Sequence, residues 1–166
     1  LLGNKTRVLA CSSPTGPAFE GAQISSGQRA APGAIERVEI DAATKEPRFK
    51  VIGSDLWSTE AGFAEATATT GVTGICGSGI LDAIAEMLKP GMLNSRGVLN
   101  KDHPRVRVRD NKAEFVLSSA MYFGHGHDVL ITRSDVNEIQ LAKSAIRVGI
   151  DVLLAECGVT ADDIDE

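Results

Sequence analysis

Gly71-Val-Thr-Gly-Ile-Cys-Gly-Ser-Gly-Ile-Leu-Asp-Ala-Ile-Ala-Glu-Met-Leu88 is a glycine-rich turn that feeds directly into a helix, and its reading decides the fold. Gly74, Gly77 and Gly79 lack a Cβ, so the backbone ahead of the helix is free to take positive φ and to approach a ligand closely. Ser78 stands where an N-cap is expected. From Ile80 the apolar positions Ile80, Leu81, Ile84, Met87 and Leu88 keep helical spacing, and Pro90-Gly91 closes the element. One face is therefore built for a core. At the other end, free amides and the positive helix pole converge on the glycines, an arrangement suited to a phosphate or another anion. Glycine turns before helices also serve as plain connectors. The string is neither the dinucleotide fingerprint nor a phosphate loop with its lysine.

The chain has 166 residues, 43% of them hydrophobic, which supplies a core for one domain or two small lobes. Net charge is −5 with the basic residues scattered, so neither nucleic acid nor an anionic membrane is implied as a partner. The apolar runs are too short to span a bilayer, and the start lacks a signal-peptide pattern, which makes a cytoplasmic setting the default. Cys11, Cys76 and Cys157 are odd in number and widely spaced, fitting reduced thiols rather than a disulfide framework or zinc knuckle. Near a helix N-terminus, Cys76 is either a thiol of lowered pKa or a small buried side chain. The absence of an initial methionine and the trailing Thr160–Glu166 read as a segment cut from a longer protein, truncated at both ends.

Outward from the central stretch, Thr6–Cys11 is a short β-prone run ending in the turn-forming Ser-Ser-Pro-Thr-Gly-Pro. A long irregular loop continues to Gly33, and such loops are usually functional or mobile. Glu20 and Arg29 are its candidate polar actors, solvated loop charges being the commoner case. Residues 34–41 and 48–53 alternate around Ala-Thr-Lys-Glu-Pro and predict a β-hairpin, and 61–68 is a short amphipathic piece near Trp57. Arg105–Arg109 and Glu114–Leu117 predict a second hairpin whose arginines face water. His125, His127 and Asp128 are metal-capable side chains without a fourth donor, so no metal is expected to be held there. Residues 128–132 predict a strand. Thr132-Arg-Ser-Asp135 then caps the longest helix, which runs to Cys157 and is stopped by Gly158. Two apolar stripes on it, Val136-Ile139-Ala142-Ile146-Ile150-Leu153-Cys157 and Leu141-Ala145-Val148-Val152, predict a helix sandwiched between a sheet and another helix or a second subunit. Lys143 on its polar edge could reach a phosphate or ribose, or is a solvated helical lysine.

Three strings, Ser13–Gly27, Gly74–Asp82 and Asp135–Ile146, together resemble the C-terminal ATPase region of reductive activators of corrinoid-dependent methyltransferases, over nearly the whole chain. These are similar to the sugar kinase, heat-shock chaperone and actin superfamily. The resemblance implies an α/β fold: a fragment of a ribonuclease-H-like, actin-like ATPase domain with β-hairpins and two main helices. It also implies ATP with Mg²⁺ and a corrinoid protein as partner. In the parent it implies an N-terminal [2Fe-2S] ferredoxin domain, absent here, that passes an electron to cob(II)alamin. By motif position it places Gly16, Glu20 and Gly21 near the γ-phosphate and metal. Gly77, Ser78 and Gly79 are placed at the nucleotide cleft, with Asp82 and Lys143 as further candidate cofactor-binding residues; no catalytic residue is assigned. The aspartate-glycine phosphate motif and the adenosine-binding glycines are expected outside residues 1–166, so the fragment alone should bind no cofactor tightly and should not hydrolyse ATP. The alternative function is a non-catalytic module for homodimerisation or partner docking.

Overall fold

The computed structural model describes residues 1–123 and 127–165. In chain order its elements are β1 (Leu2–Gly3), β2 (Val8–Leu9), a 3₁₀ turn (Ala18–Glu20), β3 (Ala34–Ile40), β4 (Pro47–Val51), α1 (Phe63–Ala66), β5 (Gly74–Ile75) and α2 (Gly77–Leu88). There follow β6 (Val106–Arg109), β7 (Lys112–Ser118), α3 (Ala120–Phe123), β8 (Val129–Thr132), α4 (Arg133–Cys157) and a second 3₁₀ turn (Ala161–Asp163). The chain divides into two compact units, Pro17–Ile139 and the pairing of Leu1–Gly16 with Gln140–Glu166.

In the larger unit, β3 and β4 form the expected antiparallel hairpin, in register from Ile40 opposite Pro47 to Arg37 opposite Lys50, with a bulge before Ile35 pairs with Val51. Alternation does the sorting: Val38, Ile40, Phe49 and Val51 are buried while Arg37, Glu39 and Arg48 are exposed. At the turn, Asp41 accepts hydrogen bonds from the amides of Ala43 and Thr44 and the Thr44 hydroxyl. On the other edge, β5 runs parallel to β3 (Ala34 opposite Gly74, Ile35 opposite Ile75). The irregular loop adds one more extended segment beside β5. Gly27 pairs with Ile75 in parallel, the Ile75 amide donates to the Ser26 carbonyl at 2.9 Å, and the Gln28 amide donates to the Ile75 carbonyl at 3.0 Å.

The second sheet is β6-β7-β8, antiparallel throughout. Its β6–β7 hairpin closes on Asp110 and Asn111, both at positive φ (49° and 63°), the two-residue turn whose twist suits a hairpin. The arginines here do not simply face water. Arg107 donates to Glu114 at 2.9 Å and to Asp128 at 2.6 Å, and Arg105 Nε donates to Glu46 at 2.8 Å. Strand β8 touches the loop segment as well, its Leu130 amide donating to Ser26 Oγ at 2.8 Å. Phe115, Leu117, Val129 and Ile131 join Ile35, Ile75, Ile80 and Met87 in one buried cluster.

Helix α2 ends as expected but begins earlier. Its N-cap is Cys76 in extended conformation, so Ser78 lies inside the first turn rather than capping it. None of Gly74, Gly77 and Gly79 has positive φ, whereas Gly71 does. The reason for glycine is packing. A Cβ on Gly79 would lie 2.2 Å from the Ile35 carbonyl oxygen in β3, and one on Gly77 would lie 1.8 Å from the Phe19 carbonyl oxygen.

Helix α4 starts on a reciprocal capping box. Asp135 Oδ2 accepts from the Thr132 amide at 2.8 Å, and Thr132 Oγ1 faces the Asp135 amide at 3.3 Å. In the larger unit Val136 and Ile139 of its first stripe are fully buried. In the smaller unit Ala142 and Leu153 of that stripe are buried but its Ile146 and Ile150 are 40% and 44% exposed, and Leu141, Val148 and Val152 of the second stripe are 65%, 61% and 54% exposed. Within the described residues the expected sandwich is thus not formed: the first stripe is covered only in part and the second is open. The smaller unit also holds the β1–β2 pairing and an open 620 Å³ groove lined by Leu2, Leu9, Leu153, Leu154, Val159 and Ile164 among others.

Candidate functional site: a cleft at the start of helix α2

A cleft of 390 Å³ opens at the N-terminus of α2, lined by Phe19, Glu20, Arg29, Ala30, Cys76, Gly77 and Ser78. Two stretches that lie far apart in sequence build it. From α2 come the first amides of a helix, which have no carbonyl acceptor within the helix. From the irregular loop come both of its arms. The 3₁₀ turn carrying Phe19 and Glu20 ends at Gly21 in the left-handed region (φ 78°), which turns the chain back. A Cβ on Gly27 would fall 1.9 Å from the Gly21 carbonyl oxygen, and one on Gly21 would fall 2.2 Å from that of Gln28. The two arms are therefore pinched together by glycine contacts, and Arg29 and Ala30 emerge beside Phe19 and Glu20.

The floor is set by Cys76. Its side chain is buried, donates to the Ile35 carbonyl at 3.3 Å and lies 3.2 Å from Ser78 Oγ. The cleft wall thus offers a carboxylate (Glu20), a guanidinium (Arg29), a hydroxyl (Ser78) and helix N-terminal amides. Guanidinium and amides suit phosphate oxygens, and the carboxylate suits a hydrated divalent cation. That donor set fits a nucleotide phosphate tail with Mg²⁺.

The residues expected from sequence to bind cofactor are distributed unevenly. Glu20, Gly77 and Ser78 line the cleft, and Gly21 shapes it through backbone packing. Gly79 is turned into the α2–β3 contact instead. Asp82 is committed to β3: its Oδ2 accepts from the Val38 amide at 3.4 Å and pairs with Arg37 Nε at 3.8 Å, so it serves the helix–sheet contact. Gly16 and Lys143 belong to the other compact unit, where Lys143 is exposed. Among the metal-capable side chains of the 127–128 loop, His127 Nε2 lies 3.2 Å from the Thr73 carbonyl. Both oxygens of Asp128 are taken, by the Ala120 amide at 3.0 Å and by Arg107. The Ala120 amide first, and the Arg107 guanidinium after it, hold the Asp128 carboxyl below its ordinary value. His125 lies outside the described residues. Among those described, no three His, Cys, Asp or Glu side chains come together as a metal site.

Sequence reasoning missed Asp135 as a partner of the cleft loop. The capping signal was visible, yet nothing local announces that Ser25, 110 positions earlier, donates its amide and hydroxyl to the same carboxylate at 2.7 and 3.0 Å.

Over residues 1–166 the sequence matches the family described as the C-terminal domain of RACo, the ASKHA domain. The chain belongs to this family. Among relatives of the ASKHA domain, the corrinoid activation enzyme RamQ of Eubacterium limosum is 33% identical over 174 residues, a match covering 99% of this chain and 26% of that protein. The [Co(II) methylated amine-specific corrinoid protein] reductase of Methanosarcina barkeri is 27% identical over 166 residues, covering 96% of this chain and 27% of that one. A solved structure titled reductive activator for corrinoid, iron-sulfur protein superposes with a TM-score of 0.77 at 33% identity, over 94% of this chain and 22% of the other. The ASKHA domain here thus spans about a quarter of the length of the curated relatives it matches. Its actin-like α/β architecture, and its kinship with corrinoid activators, are those the resemblance implied. Among the described residues no helix is long and apolar enough to cross a membrane.

Proposed function

We propose that this chain is the nucleotide-binding part of an ATP-dependent reductive activator, whose parent supports electron transfer from a [2Fe-2S] ferredoxin domain to a cob(II)alamin corrinoid protein. The observation that supports the reading is the likeness, along 94% of the chain, to a structure titled reductive activator for corrinoid, iron-sulfur protein. ATP with Mg²⁺ would supply the free energy that makes an uphill electron transfer possible. In the cleft, Arg29 and the first amides of α2 would hold phosphate oxygens and Glu20 would orient the hydrated cation, with Phe19 and Ala30 lining the wall beside them. Cys76 holds the helix start against β3 through Ile35.

The test is reduction of a cob(II)alamin corrinoid protein by the parent-length protein with a reduced [2Fe-2S] donor, followed by absorbance with and without Mg-ATP. ATP-dependent formation of cob(I)alamin, lost in Arg29→Ala and Glu20→Ala, is expected. A rate indifferent to ATP overturns the reading. Residues 1–166 alone should bind Mg-ATP in the millimolar range at best, because each tenfold loss of affinity corresponds to only about 1.4 kcal/mol, less than one or two backbone hydrogen bonds to phosphate.

A second reading, as a homodimerisation or docking module, rests on the exposed Leu141, Val148 and Val152 of α4. It is compatible with the first, since activator and docking surface use different residues. The free cysteines suit a reducing, cytoplasmic setting.

A further inference from the structure

Asp135 is 1% exposed, and the four hydrogen bonds it accepts account for it fully. Oδ1 takes the Ser25 amide at 2.7 Å and the Ser25 hydroxyl at 3.0 Å; Oδ2 takes the Thr132 amide at 2.8 Å and the Thr132 hydroxyl at 2.9 Å. A carboxylate has about four lone-pair sites, and burying one is tolerable only when they are satisfied. With all four occupied by this chain's own donors, Asp135 has no capacity left for a ligand. Its role is to hold things in place.

What it holds is the loop that makes the cleft. Ser25 lies midway between the two arms, Phe19–Glu20 and Arg29–Ala30, that both line the cavity. The Gly21–Gly27 contact necks the loop below Ser25, so displacement at Ser25 is passed to both arms together. Thr132, on the other oxygen, is the last residue of β8 and the cap of α4. We propose that Asp135 is a positioning residue that fixes the cleft loop to the β8–α4 junction, so that cleft opening and the seating of the first turn of α4 are coupled through one carboxylate. The nucleotide as occupant rests on the proposed function; the anchor does not. An amide in place of the carboxylate has one acceptor atom and must abandon either Ser25 or Thr132, leaving a backbone N–H without its partner.

The test uses Cys76, which is 3% exposed and lines the cleft, as a reporter, with the exposed Cys11 as the internal standard. Labelling of the full chain by a small maleimide is followed residue by residue by mass spectrometry, beside amide hydrogen exchange. Ser25→Ala, on an exposed residue, should speed Cys76 labelling by roughly tenfold or more, the scale set by a hydrogen bond to a charged acceptor. Exchange should quicken in residues 18–30 while β7 stays protected, and Ser25→Thr, which restores the hydroxyl, should return both to wild type. Asp135→Asn should do the same and also loosen the first turn of α4. Cys76 labelling that is unchanged in Ser25→Ala, or that rises only together with exchange in β7, overturns the proposal. So does an Asp135→Asn protein that frays α4 with the cleft loop still protected. Mg-ATP added to the wild-type chain extended to parent length should slow Cys76 labelling. Its failure to do so while Ser25→Ala opens the loop counts against the nucleotide reading alone.

Discussion

Gly79→Ala puts the packing account of the glycine turn at risk, because helix propensity and sterics predict opposite signs. Inside a helix, alanine is favoured over glycine by about 1 kcal/mol, so an uncrowded site would gain stability. At position 79 the added methyl would sit 2.2 Å from the Ile35 carbonyl oxygen and 2.9 Å from Ile75 Cγ1. Ordinary contact needs about 3.5 Å, so α2 and β3 must part by about 1 Å. Ile35 is fully buried in the middle of its sheet, bonded to β4 on one side and β5 on the other, and cannot give. Overpacking of this kind costs about 1–3 kcal/mol or more, and with a rigid backbone neighbour the upper end applies, leaving a net loss of about 2 kcal/mol after the propensity gain. In urea, followed by far-ultraviolet circular dichroism, that moves the midpoint down by about 1 M with unchanged slope. Gly149→Ala is the control: its close neighbours, Ser13 Oγ at 2.3 Å and Cys11 Sγ at 3.1 Å, are side-chain atoms that can rotate away, so stability should hold or rise. A Gly79→Ala midpoint at or above wild type would refute the reasoning.

Burial first, with Lys45 and Arg105 adding to it against Glu46, pushes the His103 imidazole below its ordinary value, and its Nδ1 accepts the Arg105 amide at 3.2 Å. The folded state therefore favours the neutral ring: its contribution is complete above the unfolded pKa of about 6.5 and is lost as pH falls from there toward the lower folded value, which His103→Gln should abolish in a stability profile against pH. Arg107→Ala strands Glu114 and Asp128 at a partly exposed site and should cost about 1 kcal/mol; since Asp128 is held below its ordinary value, that cost should shrink in acid as the carboxyl protonates, read from urea midpoints at two pH values. Val148→Glu, on the exposed stripe of α4, should reduce self-association at high micromolar concentration without lowering the melting temperature; light scattering that shows wild type already monomeric would remove the interface.

The parts of the fold that were legible in the sequence are those whose cause is local. Alternation around Ala43–Pro47 wrote the β3–β4 hairpin, Asp110-Asn111 wrote the turn after β6, and Thr132-x-x-Asp135 wrote the start of α4, because each depends on residues a few positions apart. The cleft loop was legible only as irregular. Its strand-like pairing with β5 is made by Ser26–Gln28 against Ile75, and its anchor is Asp135, so the cause of its shape lies about fifty and a hundred positions away. Arg107 was misjudged for the same reason, since alternation places it on the solvent side but cannot show that Glu114 and Asp128 meet it there.

The glycines expose a different limit. A glycine kept for ligand approach and a glycine kept for backbone packing impose the same demand on sequence, the absence of a Cβ, and only the atom standing at the vacant Cβ position tells them apart. At Gly77 and Gly79 that atom is a carbonyl oxygen of this chain, Phe19 and Ile35 respectively. Valine at either position would therefore damage the cleft wall or the α2–β3 contact whether or not a nucleotide ever enters, and lost binding in such a variant would carry no information about the ligand. Arg29 and Glu20 are the residues that can be changed informatively, because each lines the cleft at an exposed position outside the buried core. Arg29→Ala and Glu20→Ala should keep the fold and its Cys76 protection while losing response to Mg-ATP. A parent-length protein that answers Mg-ATP as before in both variants would place the nucleotide elsewhere.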